Sequence, residues 1–354
     1  MARPVTVTIT SDRYGGGAAS FDLEREVVAA YPDLDVTLRG AEPHSIADMI
    51  ALGADSDAML LSTRDAVTRD LLANIPRVKV IGRYGVGLDN VDLDAAAEHG
   101  IVITHYPQYC TAEVADHATA FILALNRRIV ELDQDLHAGA WTKHGADTDS
   151  ILRGPVPAMR DLTIGIVAFG AIGRAVARRL LPHGCRVLAT DPFVPAAEIA
   201  AADVEPAPLE TLLAQSDIVT LHCPLLPSTR GLIDAAALAL MKPDAAIVNT
   251  ARGPVVKEAD LIAHLEANPR FRAALDVVER EPLAADSPLY RLRNVILNPH
   301  AAYYSRRSVD TVQRETLIGA LDVLAGVHPL TVANPAVLRT LSLRPNPRED
   351  DERE

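Results

Sequence analysis

Short apolar runs separated by Ala- and Leu-rich stretches of helical character fill the first hundred residues. "VTVTIT", "LDVTL", "DAMLLS" and "VKVIGR" read as strands, and the β/α alternation predicts a parallel sheet flanked by helices. From Thr111 to about Gly139 one long helical pattern takes over, "TAEVADHATAFILALNRRIVELDQDLHAG", with Thr111 as N-cap and Glu113 and Asp116 placed early to suit the helix dipole. The polar, irregular "AWTKHGADTDSILRGPVPAMRD" that comes next suits a surface arm or an oligomer contact. A second β/α series opens at "LTIGIVAFG" and runs through "RVLATDP", "DIVTLHCP", "AAIVNTARG", "RAALDV" and "NVILNPH". Each of these runs ends in small or polar residues, where open α/β sheets bind ligands. A last helix, from about Ser305 to Ala325, lies far downstream of the second sheet and is expected to return to the first lobe.

A chain of 354 residues exceeds one ordinary domain, so two lobes are expected. No apolar stretch reaches the ~18 residues of a membrane span, and "MARPVTVTITSD" lacks the apolar block of a signal peptide. The net charge of −13 argues against general affinity for nucleic acid or anionic lipid. Three scattered cysteines, Cys110, Cys185 and Cys223, offer neither a disulfide framework nor a metal motif, which points to a reducing cytoplasm and no metal. The Pro-broken, charged "RPNPREDDERE" is expected to be a disordered tail.

The second series opens on a damaged dinucleotide fingerprint. In the frame Ala168-Phe-Gly170-Ala-Ile-Gly173 the first glycine of G-x-G-x-x-G is alanine. Strand before and helix after supply the required context. Phe169, Gly170, Ala171, Ile172 and Gly173 would then bring backbone and helix N-terminus to a pyrophosphate. Ala168 is compatible with that turn only if its φ stays below zero. Asp191, eighteen residues after Gly173, stands where an acid accepts ribose hydroxyls and repels a 2′-phosphate, so NAD is expected over NADP.

Three later strand ends carry Arg252 in "NTARGP", Glu281 in "VEREPL" and His300 in "NPHAAYY". Each has a bland explanation alone: a solvated arginine, a charged run, a satisfied core histidine. Together they are the types that hydride transfer to a keto acid needs. A planar cation binds carboxylate and carbonyl, a histidine supplies the proton, and a carboxylate stabilises its imidazolium.

With "GRYGVGLDNVD", "GIVAFGAIGRAVA", "DIVTLHCPL", "NTARGPVV", "ALDVVEREPL" and "NPHAAYYS" in order, the chain resembles the D-isomer-specific 2-hydroxyacid dehydrogenases, and within them the C-terminal-binding-protein-like branch. The resemblance spans roughly residues 55 to 330. It implies two doubly wound parallel-sheet, Rossmann- or flavodoxin-like α/β domains with a cleft between them. A substrate domain would comprise residues 1–105 and 302–335. An NAD domain, 106–301, would be inserted into it, with a dimerisation helix and arm at about 111–160 and a disordered tail at 338–354.

The resemblance makes Arg252, Glu281 and His300 the catalytic set, acting on a small 2-keto or 2-hydroxy acid. It places Val86, Cys223, Pro224, Thr229, Thr250, Ala251, Arg252, Asp276 and His300 around the nucleotide and nicotinamide. It gives the substrate carboxylate to the amides of Val86 and Gly87, with Arg83 and Tyr303 also at the substrate. Ala168 matches an alanine of the related formate dehydrogenases, which however carry glutamine where Glu281 stands. "ARGP" replaces the usual "ARGG" and stiffens the backbone beyond Arg252. The leading expectation is thus a homodimeric NAD-dependent D-2-hydroxyacid dehydrogenase. Two others stay open: an NAD(H)-responsive binding protein like the corepressors of that branch, and a dehydrogenase of phosphite or phosphonate.

Overall fold

Strands buried on both faces are continuous apolar runs rather than alternating ones; Ala58–Leu61 is such a run, whereas Leu34–Gly40 alternates. The computed structural model describes residues 1–11, 14, 20–144 and 156–348. The chain divides into two units, Met1–Tyr109 with Ser305–Glu354, and Cys110–Tyr304.

The first unit holds five parallel strands: β1 (Arg3–Ile9), β2 (Leu34–Gly40), β3 (Ala58–Leu61), β4 (Val80–Arg83) and β5 (Val102–His105). Their order is β2-β1-β3-β4-β5, the flavodoxin-like arrangement. β3 and β4 are buried at every residue. The helix Arg306–Leu324 completes this core, setting Leu317, Ala320 and Leu321 among Val7, Leu60, Val80 and Val102. It starts at a reciprocal cap in which the Ser305 hydroxyl accepts from the Ser308 N–H and the Ser308 hydroxyl from the Ser305 N–H, both at 2.9 Å.

The second unit holds seven parallel strands: β6 (Thr163–Val167), β7 (Arg186–Thr190), β8 (Glu205–Pro206), β9 (Ile218–Leu221), β10 (Ala246–Asn249), β11 (Arg272–Leu275) and β12 (Val295–Leu297). In the order β12-β11-β10-β9-β6-β7-β8 the chain runs outward from β6 to β8 and then crosses back to β9. The carboxyl ends of β6 and β9 therefore flank a topological switch point, where such sheets take ligands. The two-residue β8, absent from the apolar runs of the sequence, ends in Pro206, which an edge strand tolerates. Among the described residues no helix is long and apolar enough to cross a membrane.

Three expectations are corrected. The helix from Thr111 does not reach Gly139: it ends at Arg127, because Arg128 adopts a left-handed backbone (φ 54°), and new helices run Ile129–His137 and Ala140–His144. The break is stabilised by Arg272, whose Nη1 donates at 2.8 Å to the Leu125 carbonyl, which also accepts the Arg128 N–H at 3.3 Å. The helix begins after Cys110 with no side-chain cap, and Thr111 is its first residue rather than its N-cap. The arm residues 145–155 lie outside the described residues.

The tail expected to be disordered from 338 is instead tied down as far as 348. A 3-10 helix covers Pro335–Thr340, and buried Asn346 donates to Asp322 at 3.0 Å. Arg348 also donates to Asp322, at 2.5 Å, and Tyr31 reaches its other oxygen at 2.7 Å. Burial, and then the hydrogen bond to Asp322, hold the Tyr31 phenol protonated far above its ordinary pKa. Residues 349–354 lie outside the described residues.

Asp322 is thus the acceptor for three donors from distant parts of the chain. Replacing it with alanine is expected to cost about 2–3 kcal/mol, since it leaves buried donors unpaired. Urea unfolding of Asp322→Ala against wild type measures this, and equal midpoints would contradict it.

Candidate functional site

At the end of β6 the chain turns through Ala168 and Phe169 into the helix Ala171–Leu180, with Gly170 as N-cap. The first turn of that helix has N–H groups without intrahelical acceptors. Gly173 is needed for packing: a Cβ there would stand 2.3 Å from the Ala168 carbonyl oxygen. Gly170 is different. Its backbone (φ −75°, ψ −158°) suits any residue, and a Cβ would meet no protein atom within 4 Å. Its lack of a side chain serves the space in front of the turn.

The sequence-based condition that Ala168 keep a negative φ is overturned. Its φ is +71°, so it takes the left-handed turn conformation despite its methyl. The surroundings enforce this: the Ala168 N–H bonds the Thr190 carbonyl at 2.8 Å, and the next N–H, of Phe169, bonds Asp191 Oδ2 at 2.8 Å. The buried Phe169 ring, capped by the Arg174 guanidinium at 4.9 Å, pins the turn from beneath. The other oxygen of Asp191 accepts the Phe193 N–H at 2.8 Å, so a fixed negative charge stands at the end of β7 beside the turn.

Beyond β9, the Thr229 hydroxyl closes the loop from Cys223 by donating to the Pro224 carbonyl (2.6 Å) and accepting the Leu226 N–H (2.8 Å). Burial first, and then proximity to Asp191, push the Cys223 thiol up to about 11, so it stays protonated. Sequence reasoning passed over its neighbour His222, although "LHCP" displays it. Nε2 of His222 lies 3.0 Å from Thr220 Oγ1, and burial lowers its pKa to about 3, leaving a neutral ring. Thr250, after β10, has a buried hydroxyl without a hydrogen-bond partner among the described residues, and so does His222 Nδ1. Orphaned polar atoms, an open glycine position and a helix N-terminus at one sheet end fit a dinucleotide.

The loops carrying Arg252 and His300 are held by polar side chains at strand ends. Buried Asn249 shapes the first, accepting from the Ala251 N–H and donating to the Arg252 carbonyl, both at 3.0 Å. A Cβ on Gly253 would stand 1.7 Å from the Val278 carbonyl oxygen, so this loop lies directly against the one leading to Glu281. Nη1 of Arg252 donates to the Ala251 carbonyl at 2.8 Å.

Glu281 and His300, nineteen residues apart in sequence, are brought together: Nδ1 of His300 donates to Glu281 Oε2 at 2.7 Å, with both side chains about two-fifths exposed. His300 holds a left-handed backbone (φ 54°). Asp276, almost wholly buried, organises the chain from His300 to Ala302. Its carbonyl accepts the His300 N–H (2.7 Å), and its carboxylate accepts the N–H groups of Ala301 (2.8 Å) and Ala302 (2.9 Å). The Tyr303 ring stands edge-on to the imidazole, 6.4 Å between centroids.

Arg83, Val86 and Gly87 belong to the first unit. Val86 is exposed, whereas Arg83 is buried. It is 2% exposed, and its guanidinium binds the chain itself: Nη1 donates to the Ser62 carbonyl and to that of Asp65 (3.0 Å), Nη2 to the Thr63 carbonyl (2.9 Å) and to Asn90. These bonds tie the guanidinium at the end of β4 to the 62–65 loop. His105, in register with Arg83 on β5, was missed: its ring is largely buried, and that burial lowers its pKa.

Comparison with known proteins bears directly on this arrangement. Residues 119–302 match the family model described as D-isomer specific 2-hydroxyacid dehydrogenase, NAD binding domain. The chain is 38% identical over 299 residues to an (S)-sulfolactate dehydrogenase of Chromohalobacter salexigens, covering 83% of this chain and 91% of that one. It is 35% identical over 304 residues to a D-3-phosphoglycerate dehydrogenase of Mycobacterium leprae, covering 86% of this chain and 56% of that one. The chain thus spans little more than half the length of that relative. A D-lactate dehydrogenase with NAD+ from Lactobacillus jensenii superposes with a TM-score of 0.72 at 27% identity, covering 93% of this chain and 99% of that one. The chain belongs to the D-isomer-specific 2-hydroxyacid dehydrogenase family.

The strained turn gives a direct test. A left-handed alanine costs about 1 kcal/mol more than glycine there, so Ala168→Gly is expected to stabilise the protein by about that amount. Thermal unfolding of the variant measures this, and a lowered midpoint would mean that the methyl's contacts outweigh the strain.

Proposed function

We propose that this protein is an NAD-dependent oxidoreductase that interconverts a D-2-hydroxy acid and its 2-keto acid. The observation that carries the reading is the 2.7 Å bond between His300 and Glu281 at the carboxyl end of the second sheet. Bound nicotinamide supplies the hydride.

His300 holds the proton that the carbonyl oxygen takes up in reduction and receives it back in oxidation. Glu281 keeps Nδ1 of that imidazole as a donor, leaves Nε2 for the substrate and stabilises the charged ring. Arg252 offers paired planar donors to the substrate carboxylate and carbonyl. The Val86 and Gly87 amides receive the carboxylate, and Tyr303 borders the reacting groups. Phe169 to Gly173, Cys223, Pro224, Thr229, Thr250, Ala251 and Asp276 hold the dinucleotide. NAD rather than NADP is supported by Asp191, whose carboxylate is fixed by two amides and would oppose a 2′-phosphate.

The relatives' names direct the substrate search toward small hydroxy acids, including those with a second anionic group. Homodimer formation through the helix and arm after residue 111 is supported by the exposed Ile129, Leu136 and Trp141. A cytoplasmic site of action accords with the three free cysteines.

The test is NADH oxidation with glyoxylate, hydroxypyruvate, phenylpyruvate, sulfopyruvate and 3-phosphohydroxypyruvate. With the best of these, His300→Ala is expected to lose about 10²–10⁴-fold in kcat while still binding NADH. Undiminished turnover in that variant refutes the assigned acid.

A further inference from the structure

The loop that carries His300 is gripped from behind by a side chain outside the catalytic and cofactor-binding sets. His117 lies on the helix Thr111–Arg127, its ring edge-on to Phe121 one turn later, with centroids 4.5 Å apart. Its Nε2 is 3.0 Å from the Asn298 side-chain amide and 4.0 Å from Asp276 Oδ1. Asn298 precedes His300 by two residues, while Asp276 binds the N–H groups of the two residues after it. One ring nitrogen therefore faces both ends of the segment Asn298–Ala302. That segment holds His300 in a left-handed conformation that costs an L-residue about 1–2 kcal/mol unless its surroundings enforce it.

The Asp276 carboxylate, 1% exposed, needs polar neighbours to stay at the back of the loop, and His117 is one of them.

We infer that His117 is a positioning residue: through Asn298 and Asp276 it fixes the loop that sets His300 against Glu281. The inference deepens the proposed dehydrogenase function and rests on it for its catalytic consequence. His117 would touch neither substrate nor cofactor, so its loss should move the chemical step far more than binding.

Two substitutions separate the nitrogen from the bulk of the ring. His117→Phe keeps a flat ring beside Phe121 and removes the polar contact; His117→Gln restores a polar terminus near the position of Nε2. In His117→Phe, kcat for keto-acid reduction is expected to fall about tenfold with the NADH dissociation constant changed less than about threefold, and His117→Gln to recover most of the loss. Hydrogen exchange at the Ala301 and Ala302 amides is expected to quicken about tenfold in His117→Phe and to return toward wild type in His117→Gln.

Should His117→Phe fail to fold, Asn298→Ala breaks the same link from the loop side and is expected to show the same pattern. Unchanged kcat and unchanged exchange in the polar-contact variant, or equal impairment of Phe and Gln, overturns the inference. A wild-type protein that reduces none of the keto acids defeats the functional reading instead, and the exchange measurement still decides what His117 does.

Discussion

The carboxylate of Asp276 is where the geometry of the second unit converges. It is buried at the end of β11 and accepts two consecutive backbone N–H groups, while its own carbonyl takes a third. Three donors delivered to one residue leave the chain after β12 a single path, and on that path His300 meets Glu281. A buried carboxylate is stabilised by such charge-assisted bonds, and each bond in turn restrains the backbone that provides it. The same device recurs along this sheet end. Asp191 holds the turn after β6 and Asn249 the turn after β10. Polar side chains at strand ends thus act as templates for the loops, and the reacting groups ride on loops shaped in this way.

Strain collects at those positions. Ala168 and His300 both hold positive φ without being glycine, one at the dinucleotide turn and the other at the acid–base pair. Neither conformation survives on local preference. Each is imposed by neighbouring hydrogen bonds, the usual condition under which sparsely populated backbone persists near functional groups.

Much of this is legible in the sequence, for physical reasons that particular residues show. β3, β9 and β10 are buried at every residue, so they print as apolar runs with at most one polar residue, whereas Glu205–Pro206 is a two-residue edge with nothing to print. The break at Arg128 is hidden because the helical pattern continues on both sides of one left-handed residue. The C-terminal segment looks disordered since its anchors, Asn346 and Arg348, are polar and their acceptor Asp322 lies more than twenty residues away. At the site, the strand-end positions of Arg252, Glu281 and His300 can be read directly. For Arg83, sequence shows a cation at a strand end but not the carbonyls that it binds. Asn249, His117 and Asn298 act through backbone or through each other, and nothing in their local patterns marks them.

The interrupted layout of the first unit has a consequence for how the chain is made. Its sheet is finished by residue 105, but the face over Val7, Leu60 and Val80 is closed by Leu317 and Leu321. During synthesis that sheet must wait, one side only partly covered, for some two hundred intervening residues to emerge, while the contiguous second unit already holds everything its own cores require. The nascent polypeptide therefore matures from its middle outward, and the vulnerable interval for misassociation falls on the portion translated first.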